Sequence, residues 1–400
     1  MREGWEYKKL GEVAAFYRGL TYTGKDEVDF SNNVVLRSNN VDLVRNTLNL
    51  NELKYISDEI TIPNDKMVKK GSILMCMSNG SKQHIGKVAY INKDYNCAFG
   101  GFMGLIIPNE NYIIPKLLYY YCCSCTFKQF VLSIVNGVNI NNLRFSDLSN
   151  KTVRIPSFSI QSVILSELDM ITEMISKYDE QLKELDKLSQ SIFYEMFGDP
   201  VENEKGWEVK MLGDINAVSS SKRILVEDMT NKGIPFLRGT ELTLLCSGHE
   251  FDEIEYPLNI SQKQYDDVKK LTGVPLVGDL LIPSINSNGY VWKVNTSKQF
   301  YFKDGRVIWV HVNKKCFSSE YLRYLLMIQL KNVFDKMNGA TFAEFKLFVI
   351  RELIVVCPPL PLQQSFARKI EAIEAMKSKV REAKKEAETL LAARMQYWFE

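Results

Sequence analysis

Apolar residues along this chain of 400 residues fall into two kinds of pattern. The first is a series of short runs rich in Val, Ile, Tyr, Phe and Trp, each bounded by Gly, Asn or Ser. NVVLRS, GSILMCMS, GKVAYI and GGFMGLII occur in the first half, and IPFLRG, DLLIPSI, YVWKV and RVIWVHV in the second. Runs of this length and composition predict β-strands. Each half then carries one stretch that is apolar throughout, PKLLYYYCCSCTFKQFVLSIV and SSEYLRYLLMIQLKNVFDKM, which predicts a buried helix. The second pattern has a longer period. Leu168, Ile171, Ile175, Tyr178, Leu182, Leu185, Ser189, Ile192 and Met196 recur at steps of three and four, a heptad seam with one polar interruption. Ile373, Met376, Val380, Ala383, Ala387 and Leu390 keep the same rhythm with smaller side chains. Pro156 and Pro358 precede these segments, whose helices are expected from about Gln161 and Gln363 and run for about 57 Å at 1.5 Å per residue.

The two halves are copies. GWEYKKLGEV at 4–13 returns as GWEVKMLGDI at 206–215, keeping Gly-Trp-Glu-x-Lys-x-Leu-Gly. VVLRSNNVD answers PFLRGTELT, KKGSILMCMSNGS answers VGDLLIPSINSNG, IGKVAYIN answers NGYVWKVN, and VRIPSFSIQ answers VVCPPLPLQ. A repeat of this size exceeds solenoid units, and each copy is long enough to own a core. The expected architecture is α/β (α+β): two similar domains, 1–155 and 200–357, joined by two long antiparallel coiled-coil helices, 156–199 and 358–400, with an internal pseudo-two-fold. Charge supports pairing of the two helices with each other. Residues 156–200 carry 3 basic and 9 acidic groups, net −6, whereas 358–400 carry 8 basic and 6 acidic, net +2. The paired helices are expected to act as a spacer longer than one turn of DNA, about 34 Å.

Composition narrows the chemistry. Apolar residues make up 46% and charged residues 24%, the range of a globular protein. No run of 18 apolar residues is present, and MREGWEYKKLGE lacks the apolar core of a signal peptide, so neither a membrane span nor export is expected, and the cytoplasm is the expected compartment. The eight cysteines include only one close set, Cys122, Cys123 and Cys125, and with three histidines in the chain they form no second ligand pair for zinc. No P-loop, no G-x-S-x-G elbow and no clustered acid–base pair occurs. The net charge of +2 is low for a protein that grips nucleic acid unaided.

Taken in order and doubled, WEYKKLGEV and WEVKMLGDI, the LR-x-N/T segments, GSILMCMS and GDLLIPSI, IGKV, and IPSFSIQ and CPPLPLQQ leading into long helices form a specific set. The chain resembles the DNA-specificity subunit of type I restriction–modification enzymes over essentially its whole length. The resemblance implies two target-recognition domains and two helical spacers. It also implies a non-catalytic subunit that reads a bipartite asymmetric sequence in double-stranded DNA. Two methylation subunits and restriction/translocase subunits are its implied partners. S-adenosylmethionine, ATP and Mg²⁺ are expected in those partners, and no cofactor or metal in this chain. The alternative is the recognition part of a related restriction endonuclease with catalytic activity of its own.

Base readout is expected from polar loops, because Arg, Asn, Gln and Ser are the side chains that match base edges, although Asn and Gly also dominate ordinary turns. In the first domain the candidates are Arg37, Ser38, Asn39, Ser78, Asn79, Ser81, Lys82, Asn136 and Asn139. In the second they are Arg238, Thr240, Ser284, Asn286, Ser287, Arg306, Asn338 and Thr341. LRSNN in one copy against LRGTE in the other, and NGVNINN against NGATFAE, suit two sites reading two different half-sites.

Overall fold

The structure, a computed structural model, describes residues 4–136, 142–336 and 344–400, with the side chain of Asn136 outside the description. It divides into two compact units, residues 1–179 with 381–400, and residues 180–380. The division does not follow the four sequence segments: each long helix is shared, one part belonging to each unit.

In the first unit an antiparallel four-stranded sheet runs in the order Ala14–Arg18, Met103–Pro108, Ile73–Cys76, Val88–Tyr90. A second sheet runs Glu27–Val28, Lys54–Ile56, Asn33–Leu36, Cys97–Phe99, and its last pair is parallel. A two-stranded ribbon pairs Trp5–Lys9 with Thr152–Pro156. The second unit repeats this plan. Ala217–Ser219, Val307–His311, Leu280–Pro283 and Trp292–Lys293 form the antiparallel sheet. Asn259–Ile260, Ile234–Leu237 and Tyr301–Phe302 form the smaller one, again with one parallel pair, and Val209–Met211 pairs with Ile354–Val356. The fold is therefore α/β, as the sequence pattern implies, and the described residues of each unit hold two small sheets beside the two-stranded ribbon. The strands are only two to six residues long, so neither sheet alone buries a core, and the central strands are apolar on both faces. Ile73, Leu74, Met75 and Cys76 are all fully buried, as are Leu280, Leu281 and Ile282.

The apolar helical stretches differ between copies. Ser319–Lys336 is one helix, whereas its counterpart breaks into Pro115–Cys123 and Cys125–Asn136. Ser124 causes the break. Its backbone is extended, its Oγ donates to the Tyr121 carbonyl (2.7 Å), and the same Oγ accepts from the Phe127 N–H (3.3 Å), ending one helix and capping the next. Cys125 is exposed as a result, while Cys122 is buried as expected.

The long helices are Phe158–Phe197 and Leu360–Phe399, 40 residues each. In the first, the expected seam is buried or half-buried throughout, and Ser189 is fully buried with its Oγ donating back to the Leu185 carbonyl (3.0 Å). In the second, two expected seam residues are displaced: Met376 and Leu390 are exposed. The seam runs instead through Phe366, Ile370, Ile373, Lys377, Val380, Lys384, Ala387, Leu391, Arg394 and Trp398, in unbroken steps of four and three. Three of these positions are basic, and each meets an acid of the first helix. In the first unit Arg394 grips Glu167 through both Nε and NH2, Trp398 Nε1 donates to Glu167 Oε2 (3.0 Å), and Lys384 pairs with Asp179 (2.8 Å). In the second unit Lys377, almost fully buried, pairs with Asp186 (2.6 Å) and Glu374 (3.0 Å). The descending numbers of one helix against the ascending numbers of the other make the pairing antiparallel within each unit. The charge complementarity expected between the two helices thus reaches into the seam itself.

One duplicated residue ties each domain to its helix. Gln161 is fully buried. Its Oε1 accepts from the Ile114 N–H (2.8 Å) and its Nε2 donates to the carbonyls of Tyr112 (2.8 Å) and Pro156 (2.9 Å). Gln363 repeats all three bonds with Ser318 (2.9 Å), Cys316 (3.0 Å) and Pro358 (2.8 Å). The last residues of the second helix also enter the core of the first unit, where Phe399 meets the Tyr121 ring edge-on at 5.8 Å and Trp5 packs nearby.

Candidate nucleic-acid interface

The loops between the two sheets of the first unit enclose a cleft of about 810 Å³ lined by Arg18, Tyr22, Arg37, Ser38, Asn39, Ser78, Asn79 and Phe102, among others. Five of the expected site residues, Arg37, Ser38, Asn39, Ser78 and Asn79, therefore come together. They do so because two strands of different sheets end there. Asn33–Leu36 runs into Arg37 and the turn 38–40, and Ile73–Cys76 runs into Ser78 and Asn79. Asn79 Nδ2 donates to Ser38 Oγ (2.9 Å), and its Oδ1 accepts from the Ser81 N–H (2.9 Å), so these two loops are held to each other. Asn40 is the hidden brace. It is buried, accepts from the Arg37 N–H (2.8 Å), and donates to the carbonyls of Asn49 (3.0 Å) and Glu52 (2.8 Å). Asn39 is exposed at the rim, and Ser81 and Lys82 are exposed beyond it. Arg37 is half-buried and its Nε has no hydrogen-bond partner among the described residues. Burial raises the Tyr22 phenol above its usual pKa, with the nearby Arg37 charge opposing the shift. Gly19 packs against the backbone of Gly100, which lines the cleft, and a Cβ on Gly19 would stand 2.0 Å from the Gly100 carbonyl oxygen.

Beneath the cleft lies a buried lysine. Lys87 Nζ donates to the Val41 carbonyl (2.8 Å), and burial lowers its pKa. The adjacent Cys76 thiol is pushed up by burial.

The second unit places the corresponding residues differently. Arg238 opens the helix Gly239–Cys246 as Arg37 opens the turn 38–40, and its N–H donates to Glu241 Oε2 (2.8 Å) as that of Arg37 does to Asn40. Here the brace is an acid. The Arg238 guanidinium donates to Glu241 through Nε (3.1 Å) and NH2 (2.5 Å). Burial by itself raises the Glu241 carboxyl, but the bonds from Arg238 outweigh it and hold the pKa below the carboxylate range. Arg306 is exposed and paired with Glu344 (3.2 Å), and Thr240 and Ser287 are exposed.

Two of the expected readers in this unit face inward. Ser284 and Asn286 are buried, and Asn286 spans its own loop, accepting from the Tyr290 N–H (2.6 Å) and donating to the Tyr290 carbonyl (2.8 Å). Ser284 fills the place of Met77: the Met77 carbonyl accepts from Leu143 (2.8 Å), and that of Ser284 from Phe345 (2.7 Å). The copies match with Gly71 opposite Gly278, both at positive φ and both donating to the strand beside them, to Ile91 (2.8 Å) and Val294 (2.9 Å). Reading KKGSILMCMSNGS against VGDLLIPSINSNG end to end shifts this register by one residue. Asn139, Asn338 and Thr341 lie outside the described residues, as does the side chain of Asn136, which ends its helix. Arg18, Tyr22 and Phe102 were not anticipated. Phe102 sits inside a run that reads as a strand, and nothing in the sequence marks it as an exposed ring.

A family model described as "Type I restriction modification DNA specificity domain" matches twice, over residues 2–186 and 204–388. The chain belongs to this family. Among curated relatives it is 24% identical over 189 residues to the type I restriction enzyme StySPI specificity subunit of Salmonella potsdam, covering 46% of this chain and 40% of that protein. It is 22% identical over 205 residues to the EcoKI specificity subunit of Escherichia coli (strain K12), covering 50% and 43%. The chain thus matches about two fifths of the length of these relatives. A chain from a solved structure on the complex assembly and conformational transition of the type I R-M system aligns over 99% of this chain and 97% of that one. Its TM-score is 0.52 with 16% identity, a likeness of fold. The two matches of the specificity-domain family each take in one sheet-bearing domain and much of the helix that follows it, so a family unit here is a domain together with its helix. Among the described residues no group of three or more His, Cys, Asp or Glu side chains is placed to hold a metal ion, and no helix is long and apolar enough to cross a membrane.

Proposed function

We propose that this chain is the DNA-specificity subunit of a type I restriction–modification complex. Each unit reads one half of a bipartite asymmetric target in double-stranded DNA. Two methylation subunits and the restriction/translocase subunits perform the chemistry, with S-adenosylmethionine, ATP and Mg²⁺ held there. The chain itself is non-catalytic and works in the cytoplasm.

One observation supports the reading: a single backbone plan occurs twice, and its equivalent loop positions hold different side chains. Arg37 stands beside neutral Asn40, whereas Arg238 is neutralised by Glu241. Scaffold bonds such as those of Gln161 and Gln363 are kept in both copies. Divergent loops on a repeated backbone plan are what reading two unlike half-sites requires. Low net charge fits a reader whose partners share the phosphate contacts.

The test is methylome sequencing of a host that expresses the chain with its methylation partner. A motif of two specified parts around an unspecified gap is expected, and exchanging residues 1–155 for those of another family member changes one part only. A contiguous motif, or a change in both parts, overturns the proposal. Purified chain incubated with DNA, Mg²⁺ and S-adenosylmethionine is expected to show no turnover; activity without partners refutes the non-catalytic assignment.

A further inference from the structure

Two turns at the same place in the two units carry side chains of opposite chemistry. In the first unit Phe102 leads into the strand Met103–Pro108, and its carbonyl accepts from the Met77 N–H (2.9 Å). In the second, Arg306 leads into Val307–His311, and its carbonyl accepts from the Ser284 N–H (2.9 Å). Met77 and Ser284 are counterparts by their own bonds, so Phe102 and Arg306 are too. The neighbour across the turn differs in step: Ser78 bridges to Asn142, and Ile285 bridges to Glu344.

Phe102 is 73% exposed. The ring lines the cleft that also holds Arg37, Asn39 and Asn79, with Leu20, Tyr22 and Met103 as the other large apolar side chains there. An aromatic ring left this far in water beside Arg37, Asn39 and Asn79 has no role in the core. Arg306 is similarly open, 53% exposed, and its pair with Glu344 is of the exposed kind that opens readily.

We propose that this position is a specificity-determining residue in each unit: Phe102 packs on the 5-methyl group of a thymine in the major groove, and Arg306 leaves Glu344 to donate two hydrogen bonds to O6 and N7 of a guanine. The inference rests on the base-reading function above. The thymine methyl is the apolar group that the major groove offers on a base edge, and a phenyl ring has no donor or acceptor for the others. A guanidinium has two parallel donors that match guanine. Phe102 thus adds discrimination for an A·T pair in one half-site, and Arg306 for a G·C pair in the other.

Methylome sequencing with the full complex tests this, comparing the wild-type chain with Phe102→Ala and with Arg306→Ala. Phe102→Ala is expected to relax one A·T position of one half-site. Arg306→Ala is expected to relax one G·C position of the other, by about ten- to a hundredfold. A wild-type complex that yields no bipartite motif refutes the function itself. A wild-type motif that survives both substitutions unchanged refutes this inference alone. A second measurement uses the wild-type complex and a duplex bearing the motif with uracil in place of the thymine that Phe102→Ala relaxes. Binding falls about fourfold, the worth of one buried methyl group, and the Phe102→Ala complex shows no such fall. Equal binding of thymine and uracil duplexes by the wild type, or equal loss by both proteins, overturns the assignment.

Discussion

Replacing Gln161 by leucine removes a side chain whose amide is fully committed to the backbone. The Ile114 N–H loses the acceptor supplied by the fully buried Gln161, at a cost of about 1–3 kcal/mol. The carbonyls of Tyr112 and Pro156 each lose a donor, about 0.5–1.5 kcal/mol apiece. Leucine returns about 1 kcal/mol of apolar burial. The balance is about 3 kcal/mol, which in a unit of roughly 200 residues lowers the midpoint by about 6–12 °C. Calorimetry of the full chain is expected to show one transition moving and the other fixed, because the second unit keeps Gln363. Hydrogen exchange at the Ile114 amide should accelerate in parallel. Gln161→Glu supplies a sharper contrast. A buried carboxylate still accepts from Ile114 but cannot donate, and its charge is desolvated, so its folded pKa lies above the unfolded value. Its penalty is therefore larger at pH 8 than at pH 5, where protonation restores one donor. A midpoint shift below about 2 °C for Gln161→Leu, or equal movement of both transitions, refutes the clamp.

Other substitutions test the seam and the cleft. Lys377→Met exchanges a buried ion for an apolar stem of similar length and is expected to leave the second unit as stable or up to a few kcal/mol more so, whereas Lys377→Glu, facing Asp186 and Glu374, lowers its denaturation midpoint sharply. The Glu167 carboxyl is held below its usual pKa by the hydrogen bond from Arg394, and also by that from Trp398. Its contribution is therefore present above about pH 4.3 and is lost as pH falls through the lower folded pKa. Tryptophan fluorescence should report release of Trp398 in that acid range, and Arg394→Glu should release it at neutral pH. Glu241→Asn frees Arg238 as Asn40 leaves Arg37, and should steepen the salt dependence of DNA binding by about one phosphate contact, with Arg37→Ala reducing it by the same amount.

The strands were legible in the sequence because their Val, Ile and aromatic runs stop at Gly, Asn and Ser, and every run read as a strand contains one. The second seam was less legible for a physical reason. Apolar periodicity selects Met376 and Leu390, but the positions facing the partner helix hold Lys377, Lys384 and Arg394, whose aliphatic stems pack while their charges meet acids. The first cleft was readable because Arg37, Ser38, Asn79 and their neighbours follow two strand ends that tertiary pairing brings side by side. Asn286 was misread because an asparagine that staples its own turn has the same local sequence as one that faces a groove. Phe102 escaped notice because exposure of one ring is decided by packing that no local pattern encodes.

The first unit draws its last pieces, residues 381–400, from the far end of the chain. On the ribosome those residues follow residue 179 by roughly 200 positions, or about 10–40 s at 5–20 residues per second. For that interval Tyr121 and its neighbours wait without Phe399, and Glu167 without Arg394, while the second unit assembles from one uninterrupted stretch. The domain translated first is thus the one finished last, and its unpaired helix is a surface that a cell must keep out of trouble until residues 381–400 have been made.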